Sequence, residues 1–159
     1  MVKILIVYYS RTGNTQIMAE SVVEGVKEEG GEAILKRVEE TKIEDLLDVD
    51  GIIVGSPTYF GLPSAEIKKL FDDSVKYYGK LEGKIGGAFS SSAHIGGGNE
   101  TTIISIIQMM LIHGMIVQGT TKSDHYGPVS VGRPNEKVKK DCKELGKRVT
   151  KLAKLVKGE

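Results

Sequence analysis

Six consecutive residues near the amino terminus, S-R-T-G-N-T at 10–15, combine side-chain hydroxyls and an amide with one glycine. They stand between the apolar run VKILIVYY (2–9) and a segment whose apolar residues recur at helical spacing. Backbone N–H groups and the dipole at a helix N-terminus favour a bound anion, and hydroxyl groups supply further donors. We expect this segment to hold a phosphate, although an ordinary N-cap turn uses the same residue types. It contains neither the Gly-Lys-Ser/Thr of a nucleotide P-loop nor a G-x-G-x-x-G dinucleotide motif.

Two later segments carry residues suited to a flat ligand. G-S-P-T-Y-F-G-L-P-S (55–64) has two prolines that stiffen it and two aromatic residues against which a ring can lie. S-S-S-A-H-I-G-G-G-N-E-T-T (90–102) has hydroxyls and three consecutive glycines, which let backbone amides approach a ligand closely. The alternatives are aromatics that close over the core and a flexible connection before a helix. Ordering three glycines costs conformational entropy, which favours the ligand-facing interpretation of the second segment.

These segments must be positioned by an alternation of strands and helices. Apolar or alternating runs predict strands at 2–9, 32–38, 51–56, 84–92 and 114–119, and helical spacing predicts helices at 14–29, 62–78, 99–113 and 135–156. Strands separated by helices indicate an α/β fold, with a parallel sheet and helices on both faces, in one domain over 1–159. Ligands of such sheets bind beyond the carboxyl ends of the strands, where all three segments fall.

Composition excludes several classes of function. The 159 residues have a formal net charge of +1, which gives no electrostatic reason for binding nucleic acid. Cys142 is the single cysteine, so no intrachain disulfide or thiolate metal cluster can form, and three scattered histidines predict no metal site. The chain shows neither a signal-peptide pattern nor an apolar run long enough to insert in a membrane, and we expect a cytoplasmic location.

The segments also resemble those of a known family. S-x-T-G-N-T (10–15) after an N-terminal strand resembles the FMN-phosphate loop of flavodoxins. Four further segments resemble those of the WrbA-type branch and occur in the same order. They are G-S-P-T-Y-F-G, F-S-S-S-A-H-I-G-G-G-N-E-T-T, H-G-M and H-Y-G (125–127). The resemblance covers nearly the whole chain. It implies a flavodoxin-like, doubly wound three-layer sandwich with a five-stranded parallel sheet in the order 2-1-3-4-5.

The same resemblance implies FMN as the cofactor and a set of residues that bind it. The phosphate would be held by Ser10, Arg11, Thr12, Gly13, Asn14 and Thr15, and the isoalloxazine would lie against Pro57, Thr58, Tyr59, Phe60 and Gly61 and against Ser91, Ser92, Ala93, His94, Ile95, Gly96 and Gly97. His113 matches a histidine that lies near the flavin in WrbA-type proteins. The resemblance leaves open whether the same protomer or a neighbouring protomer contributes this side chain. Its position equally suits a helix C-terminus. FMN would carry the redox chemistry, so no catalytic side chain is predicted.

Two uses of the flavin remain open. Thr12 and Asn14 favour a flavodoxin-like carrier that passes electrons to a partner protein or small acceptor. WrbA-type enzymes often have an aromatic residue at the Thr12 position and carry a tryptophan before strand four, whereas this chain has no Trp. The glycine-rich loop, His113 and the near-neutral charge favour an NAD(P)H:quinone oxidoreductase, which takes a hydride from NADH or NADPH. In flavodoxins a peptide near flavin N5 flips to stabilise the one-electron-reduced flavin, and glycine makes that flip easy. The resemblance places Thr58 and Tyr59 near N5, and because both resist positive φ they predict weaker stabilisation of this state, which also favours the enzyme.

A third class is a flavin-fold binding protein that never turns over. The WrbA-type resemblance further implies a homodimer or homotetramer. His125 and Tyr126 lie in the loop after strand five, where they either cover the flavin or contact another protomer. The role of His94 is likewise open between a hydrogen bond to the flavin and a solvent-facing position.

Overall fold

The computed structural model describes residues 1–159 and contains one parallel sheet with helices on both sides. Its elements are β1 (Lys3–Tyr8), α1 (Asn14–Glu28), β2 (Glu32–Arg37), β3 (Gly51–Pro57), α2 (Ala65–Asp73), β4 (Ile85–Ser92), α3 (Asn99–Ile112), β5 (Ile116–Val117), β6 (Val129–Val131) and α4 (Glu136–Lys157). Short 3-10 turns occupy Val38–Glu40, Ile43–Leu46 and Ser74–Tyr77. The strand order β2-β1-β3-β4-β5 confirms the predicted 2-1-3-4-5 order. None of the helices is both long and apolar enough to cross a membrane.

The edge beside β4 differs from the five-strand expectation. β5 pairs only with Ile85 and Gly86, and a sixth strand, β6, pairs with the carboxyl end of β4 at Ser90–Ser92. Since β3 pairs with one edge of β4, β5 and β6 both pair with the other edge, one after the other. Residues 118–128 separate these two short strands. Gly127, Pro128 and Gly132 indicate a loop, and for this reason the sequence did not predict the three-residue strand between them.

Two apolar layers flank the sheet. On one side Ile4, Ile6 and Tyr8 of β1 pack with α1 and α4. On the other side Leu5 and Val7 pack with α2 and α3. Burial on both faces explains why β1 reads as a continuous apolar run. This two-sided packing confirms the predicted doubly wound arrangement and fixes the direction in which each helix meets the carboxyl edge of the sheet.

Close contact between α1 and α4 fixes the position of α1. A Cβ added to Gly25 would lie 2.0 Å from the carbonyl oxygen of Lys143, and one added to Gly146 would lie 2.3 Å from that of Val22. Glycine is therefore required at both positions, because backbone atoms of the neighbouring helix occupy the space of a side chain. Cys142 is buried beside this contact and acts as a small core residue; burial raises the pKa of its thiol.

Candidate functional site

The loops after β1, β3 and β4 lie side by side, because these three strands are neighbours in the sheet. From β1 the sheet extends to β2 on one side and to β3 on the other, so the crevice opens at the carboxyl end of β1. Topological switch points of this kind are where α/β sheets bind ligands. The structure thus brings together segments 10–15, 57–61 and 91–97, which the sequence singled out.

The loop before α1 is held in shape by one buried hydroxyl. Ser10 Oγ accepts hydrogen bonds from the backbone N–H groups of Gly13, at 3.1 Å, and of Gln16, at 3.3 Å. Gly13 is the residue before α1 and has φ of 100°. A Cβ there would meet nothing within 4 Å, so the backbone conformation, rather than space, requires glycine. The loop is therefore pre-shaped by its own side chain.

The same loop presents unpaired backbone donors. The N–H groups of Arg11, Thr12, Asn14 and Thr15 donate to no acceptor within the chain. The first turn of α1 contains no acidic side chain to meet the partial positive charge of the helix. Backbone amides arranged around the start of a helix form a phosphate-binding cradle. This geometry fits the phosphate of FMN.

Side chains from β2 and β4 support this loop. Arg37 at the end of β2 donates to the carbonyl oxygen of Ser10 at 2.8 Å, and its guanidinium lies 5.5 Å from the centre of the Tyr8 ring. Thr15 Oγ1 lies 3.0 Å from Ser91 Oγ at the end of β4. Arg37 escaped the sequence analysis, because a residue distant in the chain has no local pattern that links it to the loop.

The turn after β3 is strained. Tyr59 and Leu62 exchange backbone hydrogen bonds of 2.9 and 3.0 Å, and the two residues between them, Phe60 and Gly61, have φ of 51° and 75°. Two positive φ values define a type I′ turn, which asparagine and glycine normally occupy. Phe60 is the only non-glycine residue with positive φ and is fully exposed. A left-handed phenylalanine costs about 1–2 kcal/mol, and such strain concentrates at functional sites.

Positive φ therefore falls on Phe60 and Gly61, after the Thr58 and Tyr59 pair that the sequence placed near flavin N5. Thr58 instead anchors the turn to β4. Its backbone N–H donates to the Ser91 carbonyl oxygen at 2.8 Å, and its Oγ1 lies 2.9 Å from Ser90 Oγ. The turn is thus rigidly joined to the sheet at one end, and its aromatic tip extends into solvent.

The other end of this turn contacts the glycine-rich loop. Thr101 Oγ1 lies 2.9 Å from the carbonyl oxygens of both Gly61 and Gly98. A Cβ on Gly98, whose φ is 100°, would lie 2.7 Å from Gly61 Cα. Glycine at 98 is required by this close approach as well as by its backbone conformation. The turn and the glycine-rich loop consequently form one connected wall.

The tip of the glycine-rich loop is open to solvent. All five residues from Ala93 to Gly97 are exposed, and Ile95 is 91% exposed. Its base is ordered by hydrogen bonds to the His94 carbonyl oxygen, from Ser92 Oγ at 3.0 Å and from Gly97 N–H at 3.1 Å. His94 therefore shapes the loop through its backbone, and its side chain faces solvent.

Tyr9 is a second residue that the sequence analysis left out. Its ring meets the ring of Tyr59 edge-to-face, with 6.3 Å between the centroids and 72° between the planes. Desolvation by surrounding atoms raises the pKa of Tyr9, and the charge of Glu66 adds to this effect. The phenol stays protonated, and the contact between the two rings joins the chain after β1 to the turn after β3. Its position directly after β1 was the signal in the sequence.

His113 does not join these loops within one chain. It follows α3, whose 14 residues span about 21 Å from the glycine-rich loop. Its Nε2 lies 2.7 Å from Ser74 Oγ, and its ring lies near Phe71 and Tyr78. Burial lowers the pKa of His113. A contact with the flavin of a neighbouring protomer, as the WrbA-type resemblance implies, stays a prediction.

The chain after β5 returns to the same edge. His125 and Tyr126 are exposed, and His125 Nδ1 lies 2.9 Å from the carbonyl oxygen of Thr120. Pro128 then accepts a hydrogen bond of 3.1 Å from the Ser90 N–H. A Cβ on Gly127 would lie 2.1 Å from the Ala88 carbonyl oxygen, which fixes this segment against β4. Whether either exposed side chain covers the flavin stays a prediction.

Comparison with known proteins agrees with this geometry. Residues 6–102 match the family described as Flavodoxin. A flavodoxin from Aquifex aeolicus is 46% identical over 158 residues, which cover 94% of this chain and 85% of the relative. An NAD(P)H dehydrogenase (quinone) from Archaeoglobus fulgidus is 34% identical, over 96% of this chain and 98% of the relative.

Solved structures show the same two relationships. A flavodoxin, WrbA-like protein from Agrobacterium tumefaciens superimposes with a TM-score of 0.85 at 27% identity, over 98% of this chain and 99% of that one. The two-electron reduced flavodoxin of Megasphaera elsdenii superimposes with a TM-score of 0.75 at 29% identity, over 93% of this chain and 98% of that one. The similarity thus extends over nearly the whole chain.

Proposed function

The chain belongs to the flavodoxin family and is an FMN-binding redox protein, and we propose that its phosphate cradle is the loop at 10–15. The observation that carries this assignment is the set of four unpaired amides at Arg11, Thr12, Asn14 and Thr15. A dianionic phosphate would accept from these donors and interact with the start of α1. The side chains of Ser10 and Thr15 hold the loop, because their hydroxyls already bond within the protein.

The isoalloxazine would lie in the crevice beyond β3 and β4. Tyr59 and Phe60 supply aromatic surface on one side, and the loop from Ser91 to Gly97 supplies backbone donors on the other. When bound, FMN supplies the electron-accepting and electron-donating chemistry. The chain's own residues would orient the ring, and the exposed loop from Ala93 to Gly97 would leave access to it from solvent.

We favour an electron carrier that serves a redox partner protein or a small acceptor. Thr12 is exposed and places only a hydroxyl beside the cradle, so it offers no aromatic surface for a nicotinamide. Phe60 and Ile95 are exposed apolar side chains at the tips of the two loops, where a partner protein would cover them. Similarity to a flavodoxin at 46% identity supports this assignment.

The alternative is an NAD(P)H:quinone oxidoreductase. Similarity to an NAD(P)H dehydrogenase (quinone) over nearly its full length supports it. So does the exposed loop from Ala93 to Gly97, which leaves the crevice accessible to a flat quinone. In this case NADH or NADPH would donate a hydride. The difference between the two functions is therefore whether the chain itself provides a nicotinamide site.

An anaerobic titration of the FMN-loaded protein with NADH and with NADPH separates the two. We expect little bleaching of the flavin absorbance by either nucleotide, followed by rapid reduction with a one-electron reductant. Prompt, stoichiometric bleaching by NADH or NADPH would replace the carrier with the quinone reductase. A protein that neither retains nor rebinds FMN would instead support the third class, a flavin-fold binding protein without turnover.

Two further parts of the proposal concern assembly and location. We expect a homodimer or homotetramer, because Ile104, Leu111 and Ile112 form an exposed apolar stripe on α3, close to exposed Tyr78. Light scattering of the purified protein tests this.

We also expect a cytoplasmic location, which is compatible with the single, buried and unpaired Cys142.

A further inference from the structure

A second groove lies between α4 and the segment 118–124 that follows β5. Its volume is about 1000 Å³, and only two of its 18 lining residues are hydrophobic. None of its lining residues belongs to segments 10–15, 57–61 or 91–97. A groove of this size accommodates a small ligand, and its polar lining favours a charged one.

The groove carries unneutralised positive charge. Six basic and four acidic side chains line it. Lys137 pairs with Asp141 at 2.7 Å, and Lys147 pairs with Glu144 at 3.5 Å. The other four basic residues form no ion pair; they are Lys122, Lys140, Arg148 and Lys151. Because six cations exceed four carboxylates, the lining of the groove keeps an excess of two positive charges.

Two buried polar atoms in the groove have no partner. One is Nε of Arg148 on α4, and the other is Oγ of Ser123 in the facing segment. No carboxylate lies within ion-pair distance of the Arg148 guanidinium, and burial lowers its pKa. Buried donors are almost always satisfied in native proteins, by protein, water or ligand. A charged donor is the most costly kind to leave unsatisfied.

We propose that this groove binds a small phosphorylated ligand, with Arg148 and Ser123 as direct donors and Lys140 and Lys151 as neutralising charges. A guanidinium presents a planar fork that matches phosphate oxygens, and a hydroxyl adds a single donor. Several unpaired cations suit a ligand with at least two negative charges on one centre. A phosphate ester or a diphosphate has this property, and a simple carboxylate does not.

Calorimetric titration of the FMN-saturated protein with inorganic pyrophosphate tests the proposal. Excess FMN keeps the loop at 10–15 occupied, so heat of binding reports on other sites. We expect one saturable site per chain. Arg148→Gln should weaken pyrophosphate binding at least tenfold and Lys140→Gln several-fold. The control Lys80→Gln removes the same charge from an exposed lysine outside the groove and should leave binding unchanged.

Several results would overturn the proposal. They are no saturable binding to the unmodified protein, unchanged binding in Arg148→Gln, or an equal loss in Lys80→Gln. Citrate serves as a competitor of comparable charge without phosphorus, and equal affinity for citrate would show that the groove selects charge rather than phosphate. Lys140 lies on the exposed surface, so Lys140→Gln keeps the test decisive even when Arg148→Gln folds poorly.

Discussion

All four α-helices begin at the carboxyl edge of the sheet, and α1 begins differently from the other three. The first turns of α2, α3 and α4 each contain a glutamate, at Glu66, Glu100 and Glu136, whereas the first turn of α1 contains no acidic residue. A carboxylate there meets the partial positive charge of a helix N-terminus. Three helices thus carry a carboxylate that meets this charge, whereas α1 has none in its first turn.

The cap of α1 also differs from those of α2 and α4, whereas α3, like α1, follows a left-handed glycine, Gly98, and has no side-chain cap at that residue. α2 and α4 use the side chain of the residue directly before the helix, and Asn135 accepts from Val138 N–H at 2.9 Å. α1 instead follows the left-handed Gly13, and its capping hydroxyl comes from Ser10, three residues earlier. A cap set back in this way satisfies the N–H groups of Gly13 and Gln16 and leaves those of Arg11, Thr12, Asn14 and Thr15 without an acceptor in the chain.

Making α1 resemble the other helices should have the largest effect. Asn14→Asp introduces a carboxylate into its first turn with almost no change in shape. Repulsion of a phosphate about 5 Å away costs about 3 kcal/mol, so we expect FMN affinity to fall roughly a hundredfold. In the FMN-free protein the same charge should raise the free energy of unfolding by about 0.3–1 kcal/mol. Flavin-fluorescence titration and thermal unfolding measure the two effects.

Two variants serve as controls for this test. Asn14→Ala removes the amide without adding charge and should lose far less affinity than Asn14→Asp. Gln108→Glu adds the same charge on the exposed face of α3 and should leave FMN binding unchanged. Tight FMN binding by Asn14→Asp would refute the assignment of the phosphate to α1.

Removing the cap of α1 should lower both stability and FMN affinity, whereas removing the cap of α4 should lower stability alone. Ser10→Ala leaves two N–H groups, of Gly13 and Gln16, without their acceptor. We expect a loss of about 1–3 kcal/mol in stability and at least a tenfold loss of FMN affinity. Asn135→Ala removes an exposed cap from α4 and should cost about 1 kcal/mol of stability with no change in FMN affinity. Equal effects of both variants on FMN affinity would contradict the distinction.

The sequence predicted the fold and the loops because both depend on local patterns. The apolar run at 2–9 and the hydroxyl-rich segment at 10–15 are contiguous, and helices that separate the strands predict a parallel sheet, whereas the strand order was implied by the resemblance to flavodoxins. β6 was missed because three residues beside Gly127 and Pro128 carry too little periodicity to indicate a strand. Short strands of this kind are defined by their partner, here the carboxyl end of β4.

Contacts between distant segments could not be predicted in this way. Arg37 reaches Ser10 across the sheet, and Thr101 joins Gly61 to Gly98; none of these pairs has a local signature. The positive φ of Phe60 was also missed, since phenylalanine rarely adopts it and only the surrounding contacts impose it. The residues of the candidate site were thus predictable one loop at a time, and their mutual support was not.

The C-terminal ends of the helices predict a smaller effect on stability, which disappears at neutral pH. α1 and α4 end with lysines, whereas α3 ends at His113, where a charged imidazole would be favoured by the helix dipole. Burial opposes that charge and prevails, since desolvation alone lowers the pKa of His113. Ser74 Oγ donates to the Phe71 carbonyl oxygen at 2.6 Å, so His113 Nε2 donates to Ser74 and Nδ1 is left without a partner.

A histidine with a lowered pKa in the folded chain binds its proton more readily after unfolding. Stability should therefore fall as the pH drops below about 6.5, with a slope of at most about 1.4 kcal/mol per pH unit for one proton. His113→Gln should flatten this part of the profile, measured by denaturant unfolding between about pH 5 and pH 7. His125→Gln, which alters an exposed histidine, is the matched control and should keep the slope. An unchanged slope in His113→Gln would mean that the imidazole takes up its proton without leaving its buried site beside Ser74.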